Sequence, residues 1–65
     1  MKIMIVDDSA FTRKRVKLQL LDSFFKEADF IEEGLATEAV NSFLQEKPDI
    51  LILDLFFLSN LLLYL

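Results

Sequence analysis

The 65-residue chain contains no cysteine and no histidine, and it has one glycine and one proline. Disulfides and metal sites built on thiolate or imidazole are therefore excluded, and the redox compartment is not encoded. The metals still open to it are hard, oxygen-ligated cations such as Mg²⁺. One glycine allows no glycine-rich phosphate loop, which excludes the usual nucleotide-binding motifs. Basic residues are few, 7 against 11 acidic, for a net charge of -4. That balance argues against a general nucleic-acid binder. Four of the basic residues lie between Arg13 and Lys17 and read as a solvated helix face. A membrane span needs roughly 20 consecutive apolar residues, and the most apolar stretch is interrupted by Asp54. The apolar start, Met1 to Val6, breaks at Asp7-Asp8, too early for a signal peptide. The expected location is cytoplasmic. A chain this short buries only about 60% of its unfolded surface, so it forms one small and marginally stable domain at most.

Lys2 to Val6 is a short apolar run with β-branched Ile3, Ile5 and Val6 and no polar alternation. It reads as a strand buried on both faces, as in a parallel sheet. Asp7-Asp8-Ser9 ends it and supplies capping residues for a helix from about Ala10. From Ala10 to Phe25 there is no Gly or Pro. Phe11, Leu18, Leu21 and Phe25 form a helical stripe, which Val16, Leu20 and Phe24 widen. Ala28 to Glu32 is a shorter, more polar strand suited to a sheet edge, with a turn at Gly34. Ala36, Ala39, Val40, Phe43 and Leu44 mark a one-faced helix over Ala36–Gln45, with Thr37 or a neighbour as its cap. Lys47-Pro48-Asp49 stops it, because proline disfavours helix at the residue before it. Ile50 to Leu53 is a second fully buried strand that ends at Asp54.

Strands alternating with helices predict an α/β fold of order β-α-β-α-β, with a parallel sheet and right-handed crossovers. The first and third strands are the most apolar, which favours strand order 2-1-3 with helices on both faces. The carboxyl ends of strands 1 and 3 then flank a topological switch point, where open α/β sheets bind ligands. Asp7, Asp8 and Asp54 all fall at that edge. Alone, Asp7-Asp8-Ser9 reads as a turn with a cap and Asp54 as a strand end. Together, at matching ends of two buried strands, they read as a site. Three carboxylates so close repel one another unless a cation intervenes, and Mg²⁺ suits oxygen donors. Mg²⁺ also neutralises phosphoryl oxygens, and a carboxylate can act as nucleophile to give an acyl phosphate. The chemistry suggested is metal-assisted phosphoryl transfer to an aspartate.

IMIVDDSAFTRKRV, then Thr37-Glu38-Ala39-Val40 in the second helix, then KPDILILDL, resembles the response-regulator receiver domain of bacterial two-component signalling, close to its chemotaxis-type branch. The resemblance runs from about Lys2 to Leu55. It implies a flavodoxin-like fold with Asp54 as phosphoacceptor, taking phosphate from a sensor histidine kinase. It also implies Mg²⁺ held by Asp7, Asp8, Asp54 and the backbone carbonyl of Phe56.

The chain departs from the family pattern after Leu55. Leu58 stands where the family has Pro, and Leu62 where it has Gly. The Ser or Thr of the fourth strand and the Lys of the fifth have no counterpart, the last Lys being Lys47. Leu35-Ala36 replaces a frequent Asn-Gly. Residues 1–55 therefore read as the first half of a receiver, truncated after its third strand, and 56–65 as an apolar C-terminal tail, either a hairpin about Ser59-Asn60 or a helix on the sheet. The alternative to a working phosphoacceptor is a non-signalling fragment with only a self-association or interaction role, its open sheet edge inviting pairing with another chain. A phosphatase passing through a phosphoaspartate fits less well, because Asp7-Asp8 are adjacent rather than spaced as Asp-x-Asp.

Overall fold

The computed structural model describes residues 1–54 of the chain. It contains β1 (Lys2–Val6), α1 (Ala10–Leu21), β2 (Asp29–Glu33), α2 (Ala36–Glu46) and β3 (Ile50–Leu53). The three strands are parallel in the order β2-β1-β3. The expected α/β topology and strand order are both present. The apolar tail from Phe56 to Leu65, its hairpin and helix alternatives, and the boundary at residue 55 lie outside the described residues.

β1 is the centre of the sheet and of the core. Ile3, Met4, Ile5 and Val6 are each exposed by 2% or less, as a strand must be when both its edges and both its faces are covered. Side chains alternate along a strand, so this run divides between two faces. Met4 and Val6 pack with Ala39, Ala36, Ile31 and Leu53, which puts α2 on their side. Ile3 and Ile5 are in register with Phe30 and Glu32. Arg13 and Lys17 of α1 reach Glu32, so α1 covers the opposite side. The two helices thus lie on opposite faces, as right-handed crossovers from strand order 2-1-3 require.

Both helices depart from the expected pattern. α1 stops at Leu21 rather than Phe25. Ser23 Oγ donates to the carbonyl of Leu20 at 2.9 Å, and the amides of Ser23 and Phe25 both turn back to that same oxygen. A hydroxyl that bonds nearby backbone in this way competes with helix continuation. The stripe that faces the sheet is also rotated. Arg13, Val16, Lys17, Leu20 and Leu21 are half-buried, whereas Phe11, Leu18 and Phe24 are exposed. α2 begins after Leu35, with no side-chain cap, so Thr37 does not serve as one. Its end is the one Pro48 predicts. Lys47 closes it in the left-handed region at φ 50°, ψ 63°, with its amide on the carbonyl of Phe43 at 3.0 Å.

The opposite end of the sheet is pinned by ordinary polar contacts. The amide of Lys2 donates to Asp49 Oδ2 at 2.8 Å, and the amide of Asp49 donates to the carbonyl of Lys2 at 2.9 Å. The Lys2 ammonium lies 3.6 Å from Glu46. These contacts fix where β3 begins beside β1, and so where it ends.

Candidate functional site

Strand register builds the site. Val6 of β1 is paired with Leu53 of β3. The next residue on each strand is an aspartate, so Asp7 and Asp54 leave the sheet side by side. Backbone bonds carry the ladder one step further. Asp54 N donates to the carbonyl of Val6 at 3.1 Å, and Asp7 N donates to the carbonyl of Glu33 at 3.2 Å. Each acid is thus anchored at its amide while its carboxylate extends beyond the sheet.

Asp8 joins them through the turn into α1. Asp7 Oδ1 accepts the amide of Ser9 at 2.8 Å, a local side-chain turn that costs Asp7 one acceptor position. Ser9 is the N-cap of α1, its Oγ accepting the amide of Thr12 at 3.2 Å. One oxygen from each of Asp7, Asp8 and Asp54 lies within 4.8 Å of the others. Asp7 and Asp54 are half-buried and Asp8 is exposed. All three candidate acids are therefore brought together. The fourth candidate ligand, the carbonyl of Phe56, lies outside the described residues.

A set of three carboxylate oxygens, half sheltered and open on one side, fits a hard divalent cation that keeps several waters. The start of α1 adds the positive end of a helix dipole beside Asp7 and Asp8. An oxyanion delivered to the open side would meet that dipole and the cation together, and the Asp54 carboxylate would lie within the same cluster.

Two residues at the site were not singled out by sequence reasoning. Arg13 belongs to the basic run that reads as a solvated helix face, but its side chain is only 17% exposed. One Nη donates to the backbone carbonyl of Asp7, and Nε lies 3.5 Å from Glu32 Oε1. The signal was available in the helix period, because 13, 16, 17, 20 and 21 share one face. Gly34 reads in the sequence as a turn alone. A Cβ built there would lie 2.7 Å from an Arg13 Nη and 3.6 Å from the Asp7 carbonyl oxygen.

Comparison with known proteins gives two similar chains, each bearing the name chemotaxis protein CheY, from Listeria monocytogenes and Listeria innocua. Each is 42% identical over 55 residues, a match that covers 85% of this chain and 44% of the relative. The chain thus spans less than half the length of the relatives it matches. No model of a protein family and no solved structure matches it. Among the described residues, no helix is long and apolar enough to cross a membrane.

Proposed function

Because this chain is a homologue of the CheY receiver domain of two-component signalling, we propose that it acts as a phosphoacceptor, taking a phosphoryl group on Asp54 from a sensor histidine kinase. The observation that carries this reading is the meeting of Asp7, Asp8 and Asp54 at the carboxyl ends of two adjacent parallel strands. The setting is the cytoplasm, and the role is signalling rather than turnover of a substrate.

In this reading Asp7, Asp8 and Asp54 hold Mg²⁺, with the Phe56 carbonyl as a further ligand. When bound, the ion neutralises phosphoryl oxygens and sets them for in-line displacement. The residues of the chain do the rest. An Asp54 carboxylate oxygen forms a bond to phosphorus as the bond to the donor's leaving group breaks. Asp54 keeps its place because its amide is bonded to Val6. The Asp7–Ser9 bond holds the other two acids in a turn that need not form anew at each event.

The test uses a small-molecule phosphodonor with the 65-residue chain, read by intact mass with and without Mg²⁺ and with Asp54→Asn. A gain of one phosphoryl group that needs both Asp54 and Mg²⁺ is expected. No Asp54-dependent gain in folded protein would favour the non-signalling alternative. For that alternative, one observation stands: among the described residues the outer edge of β3 has no partner strand, and Leu51 is 41% exposed. Self-association through this edge is compatible with either reading.

A further inference from the structure

Arg13 is held in an unusual way for a residue in a basic run. Its side chain is mostly buried, one Nη bonds to the carbonyl of Asp7, and its Nε is buried beside Glu32 with no hydrogen bond among the described residues. A guanidinium is a rigid planar fork whose separate nitrogens reach two well-spaced acceptors in a fixed geometry, which the single nitrogen of an ammonium does not. Here the fork spans the end of β1 and the end of β2. The ground it occupies is that left free by the missing side chain of Gly34, with the Arg13 Nη at 2.7 Å and Cζ at 3.5 Å from a Cβ position there.

We propose that Arg13 is a positioning residue for the acidic site, holding the Asp7 carbonyl and so the turn that presents Asp7 and Asp8, and that Gly34 is the place kept clear for it. The inference takes its ligand from the receiver reading, while the contact with the turn stands apart from it. Asp7 is tied at its amide to Glu33 and at its carbonyl to Arg13, and Arg13 is in turn beside Glu32. The β1–α1 turn is thereby referenced to β2, the strand that carries none of the three acids. Glu32 partly balances the guanidinium, and Lys17, 4.0 Å away, shares Glu32.

The two residues are coupled in a way that can be measured. Adding a methyl at position 34 displaces the fork only if the fork is there. Gly34→Ala, Arg13→Met, Arg13→Lys and the double variant Arg13→Met/Gly34→Ala are compared in the 65-residue chain at equal folded fraction, checked by circular dichroism. The probes are the Asp7 carbonyl ¹³C shift and Ser9 amide exchange by NMR, and titration with Mg²⁺ alone. Gly34→Ala and Arg13→Met should each shift the Asp7 carbonyl, speed Ser9 exchange and weaken Mg²⁺ by about tenfold, the scale of lost outer-shell support. Arg13→Lys should stay weakened, since charge without the fork does not span both strands. The double variant should be no worse than Arg13→Met, because the two losses are one loss. An unmoved Asp7 carbonyl in folded Arg13→Met, full rescue by lysine, or additive losses in the double variant would overturn the proposal. If the unaltered chain binds no Mg²⁺, the receiver reading loses its metal site, and the Asp7 and Ser9 signals alone decide the role of Arg13.

Discussion

Single residues set the ends of the elements, and two of them offer direct tests. Lys47 adopts the left-handed conformation that costs a residue with a Cβ roughly 1–2 kcal/mol. Lys47→Gly should raise stability by about 1 kcal/mol, allowing for the flexibility glycine adds to the unfolded chain. Urea denaturation with an unchanged m-value checks it. Ser9 caps α1 through a single hydroxyl, so Ser9→Ala should lower stability by about 1 kcal/mol in the same assay. Not every residue was legible in the sequence. The three aspartates were, because carboxylates at the ends of apolar runs are costly without a purpose. Arg13 was not, because composition alone assigns a basic run to solvent, and only the helix phase reveals that one member faces inward.

The order of elements was readable because each type leaves its own period, and β1 shows this most clearly. Four consecutive apolar residues with no polar alternation require cover on two faces, and both faces are covered. Burying such side chains contributes about 1.5–3 kcal/mol each. Ile5→Ala should cost about 2–5 kcal/mol, a large share of the roughly 5–15 kcal/mol available to a native domain. Loss of a cooperative thermal transition would show it. The end of α1 was less legible. A stripe extended to Phe25 keeps the helical spacing, but Ser23 bonds back to Leu20 and ends the helix four residues earlier. Phe24, which the stripe would bury, is 97% exposed. Phe24→Ser should therefore change stability by less than about 0.5 kcal/mol; a loss of several times that would return Phe24 to a packed position.

For the molecule as a whole, the fold depends on β1 being central and the site depends on β3 being in register beside it. Three like charges meet where that register ends, so a bound cation should stabilise the entire domain. Mg²⁺ at about a hundredfold excess over its Kd should add about 2.7 kcal/mol. Calorimetric melting with and without Mg²⁺ measures this, and Asp54→Asn should reduce the gain. Among the described residues the outer edge of β3 has no partner strand, which gives a second expectation, that association grows with protein concentration. Sedimentation equilibrium checks it, and a monomer at every concentration would argue against that surface. The sheet order was legible because apolar content ranks the strands. The meeting of Asp7, Asp8 and Asp54 at one edge was legible as well, whereas the Asp7–Ser9 bond that shapes the turn was not.

The most direct test of the phosphoacceptor reading is to locate the phosphoryl group. After reaction with a small phosphodonor and Mg²⁺, borohydride reduces an acyl phosphate and leaves homoserine in place of the modified aspartate. Peptide mass mapping then identifies the position. With Asp54 as the phosphoacceptor, homoserine is expected at position 54, dependent on Mg²⁺ and absent from Asp54→Asn. Reduction at Asp7 or Asp8 instead, or none at all in folded protein, would contradict it.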